Sequence, residues 1–226
     1  MKGLILKDFY IIRFQLVVAS IGALMVAYLC YSGAHSIGPT DSLFGYVGRI
    51  LIPAMFDYVV IVFGSSFFLN TIAEDFGSGW VKQQRTLPVS DRQAIGAKLI
   101  STYILIGALV LFSVGFNLVF WLSYGGTPEI MLTAPLCVGL IQVITLSPVF
   151  PLGQRYGVKS ADAVYILLEI IVAIIAAFLM FPALSEEIPM LALRIAFYAV
   201  LPILAAASCA VSFAASKSLL RFDAEV

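Results

Sequence analysis

Asp57, Asn117, Gln142 and Glu169 sit inside long apolar runs. Polar side chains in such places either line a path for an ion or substrate or tie helices to one another. Asp57 lies about nine residues, roughly 14 Å, below the predicted outer end of its helix. Arg194 stands near the same side and is placed to pair with it, while Glu169 is placed to face Lys98. For Asp57 and Glu169 both readings stand: a substrate path, with Asn117 and Gln142 as further members, or structural pairing. Arg49 and Arg194 fit side chains that reach up to the lipid headgroups.

Catalytic constellations are not found. The nearest approach to a phosphate-binding G-x-x-x-x-G-K-[ST] loop is Gly153-Gln-Arg-Tyr-Gly157-Val-Lys159-Ser160, which has the wrong spacing, an intruding valine and no strand before it. The single histidine, His35, falls in a predicted external loop, so neither H-E-x-x-H nor Ser–His chemistry can be assembled in the apolar runs. Asp57 is the only aspartate deep in such a run, which leaves no facing aspartate pair. Cys30, Cys137 and Cys209 are odd in number and lie in or near apolar runs, as small buried hydrophobes do. We expect no enzyme, no metal and no cofactor in this chain.

The elements that must hold these residues are membrane helices. Of the residues, 62% are hydrophobic and only 12% are charged, about half the charge of a soluble domain. Runs long enough to cross a bilayer are predicted at Phe14–Tyr31, Gly48–Asn70, Leu99–Ser123, Ile130–Phe150, Ala163–Phe181 and Met190–Ala215. The expected fold is therefore an all-α membrane protein, a single transmembrane domain over residues 1–226 with six transmembrane helices. No small-residue cleavage site follows the first run, so no removable signal peptide is expected.

The net charge is zero, but its placement is not even: eleven of the thirteen basic residues precede the first run, follow the last, or lie in the second–third and fourth–fifth connections. Such a bias places both termini and those connections in the cytoplasm. No nucleic-acid partner is expected. In residues 1–13, Leu4, Ile5, Phe9, Ile11 and Ile12 share one helix side, interrupted by Asp8, with Lys2, Lys7 and Arg13 opposite. That pattern suits an interfacial helix lying on the membrane; the alternative is a first span that begins early, since Leu6, Tyr10 and Phe14 stand among the basic residues.

Residues 71–92 form the one long polar interruption. A short helix fits between Glu74 and Thr86, flanked by Gly77 and Gly79, and Ser90 with Gln93 reads as a capping box that starts the third span. A second cytoplasmic turn is expected at residues 151–162. The other connections are too short for an external capture domain, and no internal repeat is evident.

Taken together, these residues resemble the small six-span permeases of the type-2 ABC transporter family. The resemblance rests on Met1-Lys-Gly-Leu-Ile-Leu-Lys-Asp8, on Glu74-Asp75 followed by Trp80, on Leu87-Pro-Val-Ser90 with Lys98, and on Ser147-Pro-Val-Phe-Pro-Leu-Gly153 with Gly157-Val-Lys159. It implies a permease that pairs with a second copy or a close relative and docks a separate ATP-binding subunit carrying ATP and Mg. It further implies that the short cytoplasmic helix is a coupling helix, with Glu74, Asp75, Trp80, Gln83 and Arg85 as docking residues and Gly153 and Tyr156 as a second contact. Trp80 equally fits a headgroup-level anchor in the membrane lipid.

The expected function is the membrane half of an exporter in a bacterial plasma membrane. By resemblance its substrate is an amphipathic peptide, and few charges in the spans argue against a strongly ionic one. Two other readings stand beside it: an ion-coupled secondary transporter using Asp57 and Glu169, and a non-transporting scaffold or immunity protein.

Overall fold

A computed structural model describes residues 2–36, 43–77, 90–125, 128–184 and 199–222. Those residues are helical, with no strand among them. The helices are α1 (Lys2–Ser36), α2 (Leu43–Gly77), α3 (Asp91–Tyr124), α4 (Pro128–Leu146), α5 (Val149–Tyr156), α6 (Val158–Leu184) and α7 (Leu201–Phe222). Among the described residues four stretches are long and apolar enough to cross a membrane: Lys2–His35, Leu51–Asp75, Gln93–Tyr124 and Met131–Gly153; Leu201–Ser216 is a shorter apolar helix. The fifth and sixth expected spans fall on α6 and α7, although residues 185–198 lie outside the described set.

Residues 2–36 form one continuous helix with no break after Arg13, so the residues expected at the interface and those of the first expected span share one helix. The side carrying Asp8 and Ile12 is buried, whereas Leu6, Tyr10 and Phe14 face outward. The packing accounts for this: Asp8 accepts a hydrogen bond from Ser101 Oγ of α3 at 2.8 Å, so this side is held against protein.

Two compact units divide the described chain, and α2, α3 and α4 contribute to both. One comprises residues 2–71 and 100–142. Here Gly64 of α2 lies so close to Leu109 of α3 that an added Cβ would come within 2.6 Å of its methyls, and one at Gly139 of α4 would overlap Val110. Small residues at these crossings let the backbones approach, which substitutes for a hydrophobic driving force in lipid. An aromatic series runs through the same unit: Phe56 stacks on Phe116 with centroids 3.8 Å apart, Phe120 meets Tyr124 at 5.0 Å, and Tyr124 meets Tyr31 of α1 edge-on at 5.1 Å.

The other unit comprises residues 72–99 and 143–226. In it α5 packs on α6 and α7. The chain breaks helix at Ser147 and Pro148, then again at Gly157, whose φ of 84° and ψ of 165° lie in a region essentially reserved for glycine. Ser208 Oγ donates to the carbonyl of Ile144 at 3.1 Å and Ser212 Oγ to that of Ser147, tying α7 to the end of α4.

Candidate functional site

Two groups of the expected residues are brought together, one in each unit. In the unit holding residues 72–99, α2 ends with Glu74 and Asp75, and α3 begins just beyond Ser90. The predicted capping box is present: Gln93 N–H donates to Ser90 Oγ at 3.3 Å, and Ser90 N–H donates to Gln93 Oε1 at 3.2 Å. Two turns further on, Lys98 Nζ reaches Asp75 Oδ2 at 2.7 Å. The α2–α3 connection is therefore closed at its base by an ion pair whose side chains are only 6% and 14% exposed. In such surroundings the pair is screened far less than one in water. Lys98 thus pairs with Asp75; Glu169, expected to face Lys98, is buried on α6.

The second turn packs onto the same base. Gly153 of α5 is buried, and a Cβ added to it would meet Ile72 of α2 at 3.4 Å and Ala161 of α6 at 3.6 Å. Gly153, expected as part of the second contact, therefore sits in the packing beneath that turn. Tyr156 is exposed, with the Arg155 guanidinium 5.1 Å from its ring centre. Arg155, Lys159 and Glu74 are exposed in the same unit, so both charge signs are on display. Trp80, Gln83 and Arg85, with the short helix expected between Glu74 and Thr86, lie outside the described residues.

In the unit holding residues 2–71 and 100–142, three of the four path candidates are fully buried and bonded between helices. Asn117 Nδ2 of α3 donates to Asp57 Oδ2 of α2 at 2.9 Å and to the carbonyl of Met131 on α4 at 2.8 Å. Ser65 Oγ of α2 donates to Gln142 Oε1 of α4 at 2.7 Å. Asn117 and Gln142 thus join α2, α3 and α4, as structural pairing predicts. Arg194, the expected partner of Asp57, lies outside the described residues. A recess of about 40 Å³ beside Asn117, lined also by Leu118, Trp121, Met131 and Leu132, has room for a water but not for a peptide.

Sequence reasoning passed over Ser65, Ser101 and Ser113, because serines are common in membrane helices and no spacing distinguishes these three. It also gave Asp8 no role. The signal for Asp8 was present: a carboxylate on the apolar side of a helix requires partners, and Ser101 at 2.8 Å and Lys7 at 3.6 Å are among them.

Comparison with known families gives one match: a family model described as ABC-2 family transporter protein covers residues 3–220. No curated protein and no solved structure matches the chain.

Proposed function

Because the chain belongs to the ABC-2 transporter family, a family of multi-pass membrane permeases that work with an ATP-binding subunit, we propose that it is the permease of an ATP-driven exporter. Its substrate is an amphipathic peptide or another hydrophobic molecule, its ATPase is a separate chain that carries ATP and Mg, and it works paired with a second copy or a relative. Both termini and the α2–α3 connection face the cytoplasm of a bacterium.

The observation that carries this reading is the shared base of the two connections. The ends of α2 and α3, clasped by Asp75 and Lys98, pack through Ile72 and Gly153 onto α5 and the start of α6. A partner gripping the α2–α3 connection thereby acts on several helices at once. A moving subunit shifts the equilibrium of a membrane bundle only through contacts that differ between its two states, and a stiff, ion-paired base passes such differences on. Glu74, Trp80, Gln83, Arg85 and Tyr156 are the residues proposed to meet the ATPase, with Asp75 positioning them from beneath.

The test is purification of the tagged permease in mild detergent from its native membrane. The expected companion carries a phosphate-binding loop, and Glu74→Ala with Arg85→Ala releases it while leaving the permease monodisperse. If the permease emerges alone under conditions that keep other membrane complexes intact, the proposal fails.

A further inference from the structure

We propose that Asp57, Asn117 and Ser113 hold one small monovalent cation, a sodium ion or a proton, among α2, α3 and α4. The three side chains are fully buried, and each keeps an oxygen without a hydrogen-bond partner: Asp57 Oδ1, Asn117 Oδ1 and Ser113 Oγ. Ser113 stands one turn before Asn117 on α3, and its hydroxyl lies beside the Asp57 carboxyl without closing a bond of good geometry.

The orphaned oxygens are not relieved by turning the amide over. Both amide hydrogens of Asn117 are used, on Asp57 Oδ2 and on the carbonyl of Met131. Reversing the amide would set its oxygen against two acceptors. The one uncommitted hydrogen belongs to the Ser113 hydroxyl, and giving it to Asp57 would still leave a whole negative charge in a membrane span. Among the described residues no basic side chain pairs with Asp57. Phe56 and Phe116, next to Asp57 and Asn117 in the chain, stack 3.8 Å apart, and apolar surroundings offer a carboxylate no solvation.

What the site lacks is one positive charge. Carboxylate, amide and hydroxyl oxygens are hard ligands that suit a small hard cation. A divalent ion would leave a surplus charge against a single carboxylate, so charge balance selects a monovalent one. A proton meets the same need by converting the carboxyl into a donor toward the neighbouring oxygens.

The experiment uses the full-length protein in lipid nanodiscs. In the sodium arm, radioactive sodium binding is read by scintillation proximity, with choline as the replacement cation. Saturable binding near one ion per chain is expected, lost in Asp57→Asn and weakened roughly tenfold in Ser113→Ala, in line with the loss of one ligand around a bound metal. In the proton arm, the infrared band of a protonated carboxyl is recorded in sodium-free choline medium at neutral pH; it is expected in the wild type and absent in Asp57→Asn. Either result establishes the site and tells the two cations apart. The inference is overturned if neither sodium binding nor the carboxyl band depends on residue 57. Asparagine keeps the oxygen that accepts from Asn117, so this variant retains the α2–α3 bond. Should it fail to fold, Ser113→Ala decides, because it leaves the carboxyl in place and must still change the signal. No ATPase enters either arm, so the outcome is independent of the permease reading.

Discussion

Lys98 shows how a single side chain sets the behaviour of its surroundings. Its ammonium is buried and meets Asp75 at 2.7 Å, so Asp75→Ala takes a charge partner from a buried cation. Removing one member of a buried pair costs about 3 kcal/mol, and a fall in thermal stability of that order is expected in detergent. The exchange Asp75→Lys with Lys98→Asp should recover much of the loss, and no recovery would show that the pair's orientation matters more than its charge. Asp162, at the start of α6 and outside the expected span, buries one carboxyl oxygen without a partner, and burial raises its pKa above the ordinary 3.8. A raised carboxyl pKa favours the protonated fold, so stability is lost as pH climbs from 3.8 through the folded value. Asp162→Asn has no such loss: its unfolding temperature should match wild type in acid and exceed it near neutrality.

At the scale of elements, glycines decide how closely helices meet. Ala at Gly139 would overlap the stiff, β-branched Val110, whereas Ala at Gly64 meets the more movable end of Leu109. Gly139→Ala should therefore cost more, about 1–3 kcal/mol as overpacking does, and Gly64→Ala less, as read by thermal unfolding of the two variants side by side. The helices themselves were legible in the sequence, because apolar length fixes them almost without tertiary help. The capping box at Ser90 and Gln93 was legible too, being wholly local. What covers the N-terminal helix was not legible, since a wheel shows which side of a helix is apolar but not whether lipid or protein covers it; the Asp8–Ser101 bond spans 93 residues. The surroundings of Gly153 were hidden for the same reason: its neighbours Ile72 and Ala161 come from other helices. The pairings of Asp57 with Asn117 and of Gln142 with Ser65 likewise needed the fold, because composition names polar residues without naming partners.

For the whole molecule, the proposed cytoplasmic placement of both termini predicts that a C-terminal green fluorescent protein fusion is bright and a C-terminal alkaline phosphatase fusion inactive; the reverse pattern would invert that topology. The export reading predicts that the assembled complex hydrolyses ATP faster when its peptide substrate is present, and that Tyr156→Ala lowers this stimulation without unfolding the permease, since Tyr156 is exposed. Length brings a further consequence. Helices α1, α2 and α3 have 35, 35 and 34 residues, about 50 Å each at 1.5 Å per residue, against a hydrocarbon slab of about 30 Å. Such a surplus is absorbed by tilt or by reaching past the headgroups, and α2 and α3 are the two helices that flank the Asp75–Lys98 clasp. Hydrophobic mismatch thereby becomes an input to the clasp: acyl-chain length sets how much of each helix stands clear of the bilayer, and the composition of the host membrane tunes the reach of the segment offered to a partner.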